Sequence, residues 1–151
     1  MRIRGFQASD LPHLINLTIE SFRPLFERDL PDLIGQEVFS HDHGDWKNDY
    51  RQEVATIHNP KDGSFVTLAE DENRIVGYVC WQVRQGGSGR LEMVAVHPAA
   101  QRRGIGNALC RDALDRLRER GRRCSMSGPG ATRFMRPHAD CMSRSASRDT
   151  Q

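Results

Sequence analysis

From the first residues onward, the apolar positions change period three times. Ile3, set between Arg2 and Arg4, has the two-residue repeat of a short strand over residues 2–6, with Ile3 facing inward. Ser9 is a good N-cap for the run 10–26, in which Leu11, Leu14, Ile15, Thr18 and Phe22 recur at helical spacing. Asp29 ahead of Leu30-Pro31 predicts a second helix start, with proline near the first helical position, and that helix frays near residues 41–44. A third helical stretch is expected over 45–58, stopped by Asn59-Pro60.

The period then shortens. Residues 64–68 and 74–83, rich in β-branched and aromatic side chains, predict two strands, and Asp71-Glu72-Asn73 between them signals a hairpin. Gly86-Gly87-Ser88-Gly89 reads as a flexible turn into a third strand, apolar over 91–96. The last periodic element is a helix over 104–120. Ile105, Leu109, Ala113 and Leu117 form its apolar face, Arg111, Asp112, Asp115, Arg116 and Arg118 lie largely elsewhere, and Gly121 stops it. No segment repeats another.

Composition narrows the classes. At 151 residues the chain has room for one domain with its own core. A charged fraction of 28% and no long apolar run exclude a membrane-spanning helix. The polar stretch after Met1 does not read as a secretory leader. Cys80, Cys110, Cys124 and Cys141 share no Cys-x-x-Cys spacing, which argues against zinc or a redox pair. It fits free thiols in a reducing cytoplasm, the expected compartment. A net charge of +2 is too small to point to nucleic acid. Its distribution says more, because residues 122–151 carry six Arg against two Asp. The whole chain uses 20 Arg and two Lys, the bias of a GC-rich coding sequence.

The candidate chemistry gathers in residues 91–109. An apolar strand ends at His97-Pro98, a short turn carries Arg102, Arg103, Gly104 and Gly106, and an amphipathic helix begins. A loop of backbone N–H groups at a helix N-terminus attracts phosphate through its donors and the positive end of the helix dipole. Glycines let a bulky anion approach the backbone, and arginine forks suit phosphate oxygens. A glycine-rich strand-to-helix turn alone is weak evidence. A dinucleotide-binding fingerprint fits worse, because Leu109 stands where the third glycine belongs and the arginines precede the glycines.

The string Gln101-Arg102-Arg103-Gly104-Ile105-Gly106, directly behind a Val-x-Pro strand end, resembles the acetyl-CoA signature of the GNAT N-acetyltransferases. The order of elements over residues 1–121 resembles the fold of that family as well. The resemblance implies a mixed α/β fold, a central and largely antiparallel sheet flanked by helices. It also implies transfer of an acetyl group from acetyl-CoA to a primary amine, with no metal. On that reading the pyrophosphate cradle falls on Gln101, Arg102, Arg103, Gly104, Ile105, Gly106, Asn107 and Ala108. The backbone of Val94, Ala95 and Val96 pairs with the pantetheine arm, and one of its N–H groups polarises the thioester carbonyl. Glu92 is the candidate general base, and alternation places it on the face of Val94 and Val96, opposite Met93 and Ala95. A strand carboxylate paired with Arg90 or meeting solvent explains Glu92 equally well.

Beyond Gly121 the family pattern stops. Ser, Arg and Gly dominate and apolar periodicity vanishes, so residues 122–151 are expected to be a disordered tail outside a domain of 1–121, with the last strands of the fold missing. Regrouping permitted codons from Cys124 onward, by one base, spells a peptide that ends Leu-Tyr-Glu-Ser-Leu-Gly-Phe. That resembles the helix the family carries there. The expectation is a frameshifted, early-terminated member of the family, without its usual acid tyrosine.

The acceptor is less legible. Residues 27–62 hold nine Asp or Glu against four Lys or Arg, interleaved with Phe39, Trp46 and Tyr50 and preceded by Phe26. An acidic, aromatic rim favours a cationic small-molecule or peptide amine, and a solvated helical face explains the same charges. His41-Asp42-His43 lacks the further ligands a metal needs. The expected partners are therefore that amine, with no membrane, no nucleic acid, and a homodimer allowed. The competing readings are a non-catalytic acyl-CoA-binding remnant and, more weakly, a nucleic-acid binder using the arginine-rich tail.

Overall fold

The computed structural model describes residues 1–121 and, for the backbone alone, 123–126. Five strands form one sheet in the order β1 (Arg2–Gly5), β2 (Ser64–Asp71), β3 (Arg74–Val83), β4 (Ser88–Val96) and β5 (Arg123–Met126). The first four are antiparallel neighbours, and β5 runs parallel to β4. The turn from β2 to β3 has Glu72 and Asn73 at φ 48° and 63°, the paired positive angles of a type I′ turn that matches strand twist.

Helices cover both faces. On one lie α1 (Leu11–Pro24), α2 (Leu30–Ile34), α3 (Gln36–His43) and α4 (Trp46–Thr56), over a core that includes Leu14, Phe22, Val54, Leu68, Tyr78, Cys80 and Ala95. On the other lies α5 (Ile105–Glu119), whose Ile105, Leu109, Ala113 and Leu117 are buried against Val79, Trp81, Leu91 and Val96. Burial of large apolar side chains at about 1.5–3 kcal/mol each is what fastens α5. The sheet admits it closely at two glycines. A Cβ on Gly77 would meet Leu109 and Ile105 at 3.2 and 3.3 Å, and one on Gly89 would collide with Leu117.

The predicted elements recur with four differences. Ser9 is not the cap: a 3-10 turn over Ala8–Asp10 precedes α1, and Asp10 accepts from the Gln7 N–H at 2.8 Å. The break expected at Asp29 is absent, because a π turn over Leu25–Asp29 joins α1 to α2, with the Leu30 N–H reaching Leu25 O. Pro24 and Pro31 cannot donate, and the wider turn carries the chain past them. The real stop is Gly35, at φ 87°, which splits the expected second helix into α2 and α3.

The fourth difference concerns the boundary at 121. The chain continues into β5, so one strand beyond the predicted domain end belongs to the sheet. Its pairing is made by backbone groups along four residues, too few for alternation to register in the sequence. Residues 127–151, on which the expectations of a disordered tail and a shifted reading frame chiefly fall, lie outside the described residues.

Candidate functional site

The site is built where β4 leaves its neighbour. β5 pairs only with Ser88–Leu91, so from Glu92 to Val96 that edge of β4 has no strand partner among the described residues. Its N–H and C=O groups are available to an extended ligand lying in the gap. Val94, Ala95 and Val96 lie on this stretch, with Ala95 and Val96 buried.

The strand ends in a tightly held turn. His97 Nδ1 accepts the Ala99 N–H at 3.2 Å and caps the 3-10 turn Pro98–Ala100. The Val96 carbonyl takes the Gln101 side-chain amide at 3.0 Å and lies 2.9 Å from Ser21 Oγ of α1. Gln101 thus closes the turn with its side chain. Arg102 and Gly104 then adopt φ 66° and 79°. For arginine this left-handed conformation costs about 1–2 kcal/mol, a strain that typically marks functional loops.

The outcome is a helix N-terminus turned to an open surface. The N-cap residue of α5 is Gly104, which offers no side-chain cap, and a Cβ on it would meet nothing within 4 Å among the described residues. A Cβ on Gly106 would stand 3.7 Å from Val96, at ordinary contact. Ile105 points its side chain into the core, leaving its N–H for the loop, and Asn107 and Ala108 complete the first turn. Arg102 is exposed and carries no ion pair among the described residues. Arg103 Nη2 bonds Asp71 Oδ2 at 2.9 Å, bringing in the end of β2, which no motif had singled out. An uncapped helix start, a left-handed loop and arginines are the donor set a pyrophosphate requires, so these residues fit the group.

Glu92 is not where strict alternation puts it. Leu91 pairs with Trp81 and Met93 with Cys80, which makes Glu92 the extra residue of a β-bulge. Its carboxylate consequently looks toward the α1–α4 face. Burial and then the charge of Glu92 push Glu53 of α4 above the usual carboxylate range. Burial, then the charges of Glu92 and Glu53, push the Cys80 thiol up to about 12. Glu92 therefore shares the face of Met93, Cys80 and Ala95, and the expected grouping with Val94 and Val96 is corrected by the bulge. Arg90 Nε stands 4.0 Å from Glu92 Oε1, so the pairing weighed from sequence is present as a loose contact.

One other expectation changes. The rings of residues 22–50 are not an open rim: Phe26 stacks on Trp46 at 4.8 Å and Phe22 on Tyr50 at 5.0 Å, with Phe39 also buried. They form the seam between α1 and α4, while Glu37, Asp42, Asp45, Asp49 and Glu53 stand at the surface. Tyr78 is fully buried, its hydroxyl 2.7 Å from Thr18 Oγ1 and 3.0 Å from Met93 Sδ, and burial raises its pKa. His41 Nδ1 contacts Asp42 at 2.8 Å, and no group of three metal-ligating side chains occurs among the described residues. No described helix is long and apolar enough to cross a membrane.

A model of the acetyltransferase (GNAT) family matches residues 19–137. Mycothiol acetyltransferase of Mycolicibacterium smegmatis is 38% identical over 64 residues, 42% of this chain and 18% of that relative. The match thus covers under a fifth of the curated relative's length. Among solved structures, a GNAT family acetyltransferase from Brucella melitensis in complex with acetyl-CoA has a TM-score of 0.56 at 23% identity, covering 89% of this chain and 80% of that one. The PaiA N-acetyltransferase of Thermoplasma acidophilum in complex with coenzyme A has a TM-score of 0.58 at 17% identity, covering 83% and 77%. At these identities the likeness is one of fold.

Proposed function

The chain belongs to the acetyltransferase (GNAT) family, acyltransferases whose cosubstrate is acetyl-CoA, and from that premise we propose that it acetylates a primary amine with Glu92 as general base. One observation carries the reading: a half-paired β4 edge runs straight into an uncapped, arginine-bearing helix N-terminus. In this arrangement Arg102, Arg103, Gly104, Ile105, Gly106, Asn107 and Ala108 hold the pyrophosphate, chiefly by backbone N–H groups and helix dipole. Gln101 keeps that loop closed on Val96. The open edge at Val94, Ala95 and Val96 aligns the pantetheine arm.

Acetyl-CoA supplies an activated thioester. Glu92, on the bulge at the start of the open edge, takes the proton of the incoming ammonium and leaves a neutral amine. The amine nitrogen bonds the carbonyl carbon, a β4 N–H steadies the developing oxyanion, and the carbon–sulfur bond breaks, the proton shed by the acylated nitrogen passing to the leaving thiolate to give the thiol of coenzyme A. Glu53 and Glu92 on one face favour an amine on a cationic molecule, such as a polyamine, an aminoglycoside or a lysine side chain.

A second reading, an acyl-CoA-binding protein without turnover, is favoured by one feature. The family's acid tyrosine has no counterpart in the sequence after Gly121, and Tyr78 is sealed in the core. Calorimetric titration with acetyl-CoA, followed by thiol release with a panel of amines, separates the two. Turnover that falls about 100-fold or more in Glu92→Gln, with cosubstrate affinity retained, is the expected result. Binding without turnover supports the second reading, and restoration of the shifted frame after Arg123 should then bring turnover back.

A further inference from the structure

Arg103 has two duties in this fold. It directly precedes Gly104, the N-cap of α5, and its guanidinium reaches the hairpin that joins β2 to β3. Nη2 donates to Asp71 Oδ2 at 2.9 Å, across 32 residues of sequence. Asp71 is the last residue of β2, paired with Arg74 across the type I′ turn, so its carboxylate sits on a stiff part of the sheet. Its second oxygen lies 3.4 Å from the Met1 ammonium. One carboxylate shared by two cations leaves the neighbourhood positive, and an anion nearby is attracted.

Resting on the reading that residues 102–108 hold the pyrophosphate, we infer that Asp71 is a positioning residue for the cosubstrate phosphates, acting through Arg103. An arginine carries five N–H donors in a planar fork. Asp71 occupies one side of that fork, and the Nε and Nη1 donors have no partner among the described residues. A side chain 57% exposed would otherwise sample many rotamers beside the loop. Tethering it to a strand end fixes the plane of the fork before any ligand arrives, which reduces the ordering needed on binding. The backbone at Arg102 and Gly104 is held by left-handed angles, so the loop and its arginine are set by separate devices.

The test uses two acyl donors, acetyl-CoA and acetyl-pantetheine, which lacks the phosphates. Asp71→Asn should raise the Kd for acetyl-CoA roughly fivefold, the scale of one charge-assisted hydrogen bond. It should leave the Kd for acetyl-pantetheine and the thermal midpoint unchanged, and Asp71→Glu should recover most of the loss. Equal weakening of both donors would assign Asp71 to general structure and overturn the inference. Tighter acetyl-CoA binding in Asp71→Asn would also overturn it, because the carboxylate would then be a competitor for Arg103. If the unaltered chain binds no acetyl-CoA, the parent reading falls with it. If the chain binds and Asp71→Asn changes nothing, this inference alone falls.

Discussion

On the α5 side of the sheet, the groups proposed to hold acetyl-CoA come almost entirely from one run of chain, residues 94–108. On the α1–α4 side, the groups come from distant segments: Glu53 in α4 and Cys80 in β3, which feel the charge of Glu92, and an aromatic seam built from Phe22 in α1, Phe26 in the π turn after it, and Trp46 and Tyr50 in α4. The first site is a local backbone shape with few side chains. The second is an assembly, present only when four helices pack correctly over the strands. A ligand common to a whole family can be served by the first kind of site. A ligand that varies between members suits the second, where changing one helix changes the walls and spares the cradle.

Trp46→Ala should test this hardest. Removing a buried aromatic of the seam costs about 3–5 kcal/mol, measurable by denaturant unfolding. Under conditions where the variant stays folded, the KM for the amine should rise while acetyl-CoA affinity holds. A parallel loss of both would break the distinction. Gly104→Val should produce the converse, with a smaller effect on stability. A β-branched residue at φ 79° is strained, and its side chain enters the space left for the ligand. The Kd for acetyl-CoA should rise by at least about tenfold, near 1.4 kcal/mol, with unfolding changed less than in Trp46→Ala. Unaltered affinity there would remove the cradle from the α5 terminus.

The smallest effect is one of pH and belongs to His58, beside the assembled side. Its ring lies between Phe6 and Phe65, and Nδ1 accepts the Val66 N–H at 3.2 Å. Burial lowers its pKa from the ordinary 6.5. The unfolded chain therefore takes up this proton first as pH falls. The stability of the neutral ring is complete above pH 6.5 and declines below it, toward the lower folded pKa. The thermal midpoint should fall between pH 7.5 and 5.5, and His58→Gln should flatten that slope. A slope unaffected by the substitution would assign it to other groups.

What could be read in the sequence follows the same division. Periodicity named the buried face of α5 residue by residue, Ile105, Leu109, Ala113 and Leu117, because a helix packed on one sheet writes its contacts at fixed spacing. The loop was legible because backbone geometry demands glycine at position 104. The aromatic seam was not, since Phe26 and Trp46 face each other from separate helices and the same composition describes an open rim. Nor was the Asp71–Arg103 bond, whose partners are linked only through the folded hairpin. The π turn escaped because prolines ordinarily signal a break, and here a wider hydrogen bond spans them.

The bulge at Glu92 has a consequence for how such a chain can change over generations. Leu91 and Met93 answer to opposite cores, and each is fixed by what it packs against. Glu92 is supernumerary to that register, exposed, and owed to neither core. Substitution at this one position alters the chemistry presented to an acceptor with little demand on folding, so a lineage can try acids, amides or hydroxyls there while the scaffold stays intact. Deleting the residue is a different matter. Loss of this position would leave Leu91 opposite Trp81 and Met93 opposite Cys80 in strict alternation, so the register and both cores persist while the carboxylate and the bulge that presents it are gone. Replacement there changes the chemistry offered to an acceptor, and shortening removes it, with the fold of the sheet kept in both cases.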